Sequence, residues 1–553
     1  MISWDSEAAS SGENISARPL VHRESDPVTD RASNQTSRPD SVNERPPLLR
    51  RLLQGMAWGT VNQFASSVGS LLVTPLLVHT LGLDAFGLFS LVLLLNSMLS
   101  SFDGGLRPVA GRFFSVHIGA GNRVAAGRLL GTLMLFAIGV GLAITTVLFF
   151  VSPTLVAIFR LPRDLRVDGL FLFRSVGVLV GAVFIYTVLE SVMQALGRYT
   201  LTGFARLLSY VAWVTTTWVC TASGYGLKVL AIALIAPQVA AACLLVPAVI
   251  KYVGPGNLGL ADITEVRALA SFGWRAQCAG LATLVNTQFD GILIGLILPV
   301  RYVGLYNAGA NVANKLSNAL SNALVPLANH FGNRFGSEGV QAVSDILNEL
   351  QPRWVRITSA WCAVCAAVSY PALSLWLGKR FEVSGLVCAI LLLGYLFNNC
   401  VAMQTLYVNA IGLPGLQARF GLVSVIINVG LTAAMIPFGI TGIVGATAAG
   451  LVLGSLYFQR LVRSKTDSNL VHFLTNIPFD AILASLAASG LSAWLILFTG
   501  LSGPLGLIAA IACIVPGLAT FIALSKADRE ALQVAAARAR MTLRTRRIIS
   551  ADS

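Results

Sequence analysis

The sequence predicts an all-α integral membrane protein with about 14 transmembrane helices. Three observations carry this. The mean hydropathy is +0.73. Only 12% of residues are charged, about half of what soluble globular domains carry (roughly 25%). Apolar segments long enough to cross a hydrocarbon core (about 20 residues) follow one another from Gln54 onward. A chain that is 55% hydrophobic has more apolar surface than a soluble fold could bury.

The elements follow in order. Residues 1–50 are polar and mixed in charge, with no apolar run, and read as a disordered cytoplasmic tail. Spans are expected over 54–79, 87–106, 128–151, 170–192, 200–222, 227–250, 271–298, 303–329, 355–378, 383–410, 415–437, 440–461, 478–499 and 503–524. Pro437 and Gly439 divide one long apolar run into two spans. Residues 526–553 form a basic tail, suited to anionic lipid.

The formal charge of +14 does not indicate nucleic acid. With the amino terminus inside, roughly 30 of the 39 Lys and Arg fall in the tails and alternate loops on the same side. This is the positive-inside bias of a multi-pass protein, with both termini cytoplasmic.

A faint internal repeat organises the spans. Gly87-Leu88 matches Gly304-Leu305 at an offset of 217. Trp58 matches Trp274 within one residue of that offset, and Ala195-Leu196-Gly197 resembles Ala410-Ile411-Gly412 at an offset of 215. Six spans separate the matching points, so both halves keep one orientation. The result is a parallel repeat of two pseudo-symmetric six-helix bundles, 51–253 and 254–465, plus two C-terminal helices within 466–525. Such halves suit alternating access around a site between them.

Polar residues inside spans mark where water or a ligand is expected. Asn307, Asn311, Asn314, Asn318 and Asn322 recur every three or four residues, so they form one stripe on a helix, with Lys315 at its edge. A stripe of this size fits a cavity wall better than interhelical packing. Asn62, Ser66, Ser70 and Thr74 share a face of the first span, and Arg275, Thr283, Asn286 and Asp290 one of the seventh. Arg174 and Glu190 in the fourth span are further candidates. Asp290 is close enough in sequence order to be expected opposite Lys315, as an ion pair or an ion-coupling site, and Glu190 carries the same two readings.

Several functions are excluded or disfavoured. There is no G-x-x-x-x-G-K-[ST] nucleotide loop. The pair Cys362 and Cys365 has no second ligand pair, and His79 and His330 form no set, so no metal and no cofactor is expected. No D-x-D motif and no long outer loop supports an enzyme.

Gly55-Met-Ala-Trp-Gly59, and Pro75-Leu-Leu-Val-His-Thr-Leu-Gly-Leu-Asp-Ala-Phe-Gly-Leu-Phe89, resemble the start of bacterial polysaccharide-export flippases. These belong to the multidrug/oligosaccharidyl-lipid/polysaccharide exporter superfamily. Phe102-Asp103-Gly104-Gly105-Leu106 with Ala110 and Arg112 is similar to the family's Asp-Leu-Gly-Leu…Ala-x-x-Arg element, with Gly104 in place of Leu and Ala110 one residue closer to Arg112. Asn409-Ala-Ile-Gly412, Asn428, Ile436-Pro437, Gly439-Ile440 and Gly442 through Thr447 resemble its later helices. The resemblance spans most of residues 54–465.

The resemblance implies a transporter, not an enzyme, in the bacterial inner membrane. It would flip a polyprenyl-pyrophosphate-linked oligosaccharide to the outer leaflet for surface or exopolysaccharide synthesis. Its partners would be membrane lipid, that cargo and other polysaccharide-assembly membrane proteins. It also implies a cytoplasmic gate at Asp103, Arg112 and Arg275. Amides and hydroxyls suit the sugar, and Lys315 suits the pyrophosphate. A cation-coupled multidrug antiporter of the same superfamily and a membrane polysaccharide polymerase or ligase are the alternatives.

Overall fold

A computed structural model describes residues 48–466, 478–497 and 503–524. The two predicted tails lie almost wholly outside these residues. All secondary structure among the described residues is helical.

The first half comprises α1 (Leu48–Leu81), α2 (Leu83–Ser100), α3 (Leu106–Gly119), α4 (Arg123–Ile158), α5 (Arg166–Ala195), α6 (Tyr199–Ala222) and α7 (Leu227–Val253). The second comprises α8 (Ile263–Ile297), α9 (Arg301–Ala323), α10 (Val325–Leu377), α11 (Glu382–Cys400), α12 (Ala402–Ala410), α13 (Pro414–Met435) and α14 (Gly439–Lys465). Then come α15 (Phe479–Leu497), α16 (Gly503–Ala512) and α17 (Ile514–Leu524).

The two halves repeat one another in element order. α10 changes direction at Gly339 (φ 80), so its first part answers to α3 and its second to α4. Short 3-10 turns, Arg163–Leu165 and Lys379–Phe381, precede α5 and α11 respectively. Arg160 (φ 48), the one positive-φ residue other than glycine among the described residues, has Gly378 (φ 92) as its counterpart.

Within the described residues each expected span contains helix, and four of the expected spans are longer or more continuous than the helices observed. The span over 87–106 ends at Ser100, and a separate amphipathic helix, α3, follows. The span over 303–329 ends at Ala323, because Pro326 in the first turn of α10 cannot donate to the helix before it. The span over 383–410 is broken at Val401, and that over 503–524 at Cys513. At the first break, Trp354 Nε1 donates to Asn399 O (2.7 Å) and Gln351 Nε2 to Cys400 O (2.6 Å). Side chains of α10 thus satisfy carbonyls that the interrupted helix leaves free. The division at Pro437 appears as expected: Ile436–Phe438 is a 3-10 turn between α13 and α14.

Among the described residues, eight helical stretches are long and apolar enough to cross a membrane. Large apolar side chains such as Phe64, Phe150, Leu483 and Val515 face outward, which a soluble surface would not tolerate in such number. Within the first half α5 packs on α4 and α7; within the second, α11 packs on α9, α10 and α14. The halves meet along α2–α9, α2–α8 and α3–α8, and α15–α17 lie against α10.

Candidate functional site

The contact between α2 and α9 sets the position of everything else. A Cβ on Gly87 would lie 2.3 Å from Val300 O, and Gly304 is hemmed in by Phe86 and by Gly87 itself. Two glycines at equivalent places in the repeat therefore allow the backbones to touch. One turn further along, Asn307 Nδ2 donates to Ser90 O (3.2 Å). These contacts close one end of the interface between the halves.

Beside this seam lies a cavity of about 310 Å³. α1 contributes Ser66, Ser70 and Thr74; α9 contributes Asn307, Asn311 and Lys315. Trp213 of α6 and Trp376 of α10 supply aromatic walls from opposite halves. Trp213 Nε1 is buried and has no hydrogen-bond partner among the described residues. Lys315 Nζ donates to Ser66 O (3.2 Å), which places a cation against the first helix of the other half.

The remaining stripe residues are distributed differently. Asn314 accepts a hydrogen bond from Tyr395 OH (2.6 Å) and so belongs to the α9–α11 packing. Asn318 and Asn322 are exposed, further along the Lys315 face. Asn62 is buried, and its Oδ1 has no partner among the described residues. Arg174 lies outside the cavity wall: Nε donates to Ser152 Oγ (3.2 Å), and the guanidinium rests 4.1 Å from the Phe149 ring centroid. The side chain of Asn286 is outside the described residues.

The two candidate acids have partners other than those expected. Asp290 does not pair with Lys315. Its Oδ2 accepts from Thr447 Oγ1 (2.5 Å) and Tyr306 OH (3.5 Å), while Oδ1 has no partner among the described residues. Thr447 is also within reach of Asn428 Oδ1, which Thr432 contacts in turn. This is a buried nest of oxygens with one carboxylate and no cation among the described residues. Glu190 instead lies between Arg206 and Arg107, as an ion pair.

At the end predicted to be cytoplasmic, the halves meet again. Asp103 caps α3: its Oδ1 accepts from Gly105 N (2.9 Å) and its Oδ2 from Arg107 N (3.4 Å). Gln277 of α8 grips the same turn, accepting from Gly105 N (3.1 Å) and donating to Ser101 O (2.7 Å). A Cβ on Gly105 would come within 2.4 Å of Gly273 O. Arg112 lies over the Phe272 ring at 4.7 Å, and His117 Nε2 lies 3.1 Å from Glu265 Oε1. The side chain of Arg275 is outside the described residues. Gln277, Gly273, Phe272 and the two cavity tryptophans carry no signal in the sequence, because a single apolar or amide residue in a span is equally at home in packing.

Among solved structures, the lipid II flippase MurJ in an inward closed conformation is similar at TM-score 0.65 and 13% identity, covering 86% of this chain and 99% of that one. An inward-facing multidrug resistance MATE family transporter of the MOP superfamily is similar at TM-score 0.60 and 11% identity, covering 72% and 96%. The chain shares the fold of these two transporters. Another similar structure is the Vibrio cholerae MATE transporter VcmN in its bent form (TM-score 0.51, 17% identity, 76% and 98% covered). Residues 80–334 match a family described as polysaccharide biosynthesis protein, a stretch that runs from the end of α1 into α10. No curated protein matches the sequence.

Proposed function

We propose that this chain is a flippase that carries a polyprenyl-pyrophosphate-linked oligosaccharide from the cytoplasmic to the outer leaflet by alternating access. The membrane would be the bacterial inner membrane, with both termini cytoplasmic, and the product would feed surface or exopolysaccharide assembly.

The cavity between the halves is the observation that carries this reading. Its amides and hydroxyls can both donate and accept, which suits the hydroxyls of a sugar. Its tryptophans offer flat apolar faces. Lys315 is its one cation among the described residues lining it and suits a pyrophosphate. A cavity of about 310 Å³ is at the small end for ligand sites. Rocking of the halves about the α2–α9 seam would enlarge it from one side or the other.

Asp290 is the group best suited to couple transport to an ion. A buried carboxylate with a free oxygen, ringed by Thr447, Tyr306 and Asn428, can take a proton or a small cation.

The test is transport in liposomes that contain a polyprenyl-pyrophosphate oligosaccharide, read as cargo made accessible to an added glycosidase. Wild type should expose cargo, and folded Lys315→Ala should expose far less. Proton- or sodium-linked efflux of a cationic dye, without cargo flipping, would replace this reading with the antiporter.

A further inference from the structure

The Arg107–Glu190–Arg206 group lies apart from the cavity and is built unlike an ordinary structural pair. Glu190 is 2% exposed and already has a partner in Arg206 of α6. Arg107 of α3 adds a second guanidinium, 3.4 Å away, and its side chain is 56% exposed. One carboxylate between two guanidiniums leaves one positive charge over. A buried acid needs one counter-ion; the surplus cation faces outward.

Its placement gives the surplus charge a use. Arg206 precedes Trp213 by seven residues on α6, which is two helical turns, so the two lie on one stripe about 10 Å apart along the axis. Trp213 lines the central cavity. Arg206 therefore lies outside the cavity lining but on the stripe that leads from it toward the end predicted to be cytoplasmic. α1 follows α6 along this path: Trp58 packs on Gly203, and Gly69 packs on Val214. Arg107, for its part, belongs to the turn that joins the halves. Its N–H donates to Asp103, whose other oxygen holds Gly105, and Gly105 abuts α8 at Gly273 and Gln277.

We propose that Arg107 and Arg206 form an anion site for the pyrophosphate of the lipid-linked cargo, below Lys315, and that filling it loosens the Ser101–Arg107 latch on α8. This rests on the flippase reading for the identity of the anion. Pyrophosphate oxygens compete with Glu190 for Arg107, whose exposed guanidinium can turn to them with its planar fork. The turn then loses the ion pair that ties it to Glu190 of α5, which weakens its hold. Cargo arrival is thereby linked to opening at the end from which cargo comes.

The experiment uses full-length protein in phosphatidylcholine nanodiscs, with polyprenyl pyrophosphate as one probe and phosphatidylglycerol at equal mole fraction as the other. Two quantities are read: equilibrium binding of the pyrophosphate lipid, and hydrogen exchange of a peptide covering residues 101–110. Wild type should bind, and its latch amides should exchange faster when polyprenyl pyrophosphate is present. Arg107→Gln should bind about tenfold more weakly and show no ligand-dependent acceleration, and Arg107→Lys should recover part of both. A purely structural Arg107 would raise exchange without ligand and leave binding unchanged, which overturns the site. Equal acceleration by phosphatidylglycerol would overturn the assignment to cargo. If Arg107→Gln matches wild type in both readouts while glycosidase-detected flipping persists, the site fails and the flippase reading stands. If wild type binds no pyrophosphate lipid, both fail.

Discussion

The side-chain amide of Asn307 donates to the backbone carbonyl of Ser90, and the two residues are 217 positions apart. That separation is the offset of the internal repeat. Equivalent places in the two halves therefore touch one another, with Gly87 against Gly304 one turn away. Self-contact of this kind is what a pseudo-two-fold axis running between α2 and α9 requires.

Gly87→Ala should disturb this seam. The added methyl would meet the Val300 carbonyl, which is backbone and cannot swing aside. A loss of about 1–3 kcal/mol is expected from overpacking, read as a lower melting temperature in detergent. Gly139→Ala, at a helical site with open space, should melt at or above the wild-type temperature. Equal behaviour of the two variants would contradict a close seam.

Gln277→Ala should loosen the latch at the other end. It removes both bonds that α8 makes to the turn at Ser101 and Gly105, each contributing about 1 kcal/mol net. Amides of residues 101–107 should then exchange faster even without ligand. Unchanged exchange would mean that the Gly105–Gly273 contact and the Asp103 hydrogen bonds hold the turn without Gln277.

Asp290→Asn should separate coupling from folding. The amide keeps an acceptor for Thr447 and Tyr306 while removing the charge. Transport in the presence of an imposed proton or sodium gradient should fall to the level seen without a gradient, and thermal stability should not drop. Gradient stimulation that survives the substitution would remove Asp290 from the coupling role.

Arg174→Ala should leave transport unchanged. The guanidinium packs on Phe149 and Ser152, away from the cavity, so the cost is one of stability, about 1 kcal/mol. A selective loss of flipping in a variant that melts normally would return Arg174 to the transport path.

Lys315→Arg should retain more flipping than Lys315→Ala, because the charge is kept where Ser66 O meets the ammonium. The alanine variant should lose about tenfold or more in affinity for polyprenyl pyrophosphate, as expected for one charge-assisted contact. Equal affinity of the two variants would show that the cation is not read by the cargo.

The amino-acid sequence by itself determined the membrane class and the position of most spans, and it pointed to a repeat and to a polar stripe on α9. These are properties of periodicity and composition, which act over one or two turns of a single helix. Pro326 and the turn at Ser101–Gly105 show where that stops. The proline is visible in the sequence, yet whether a helix ends there depends on what its neighbours offer the freed backbone groups. Only the tertiary structure decided that Asn314 belongs to Tyr395, that Arg174 leaves the cavity for Phe149, and that Asp290 meets Thr447 rather than Lys315. It alone brought Trp213 and Trp376 into one wall and placed Arg107 and Arg206 on one acid. The physical reason is the same in each case. A polar group in hydrocarbon takes the nearest partner, and nearness between helices is set by packing across the chain.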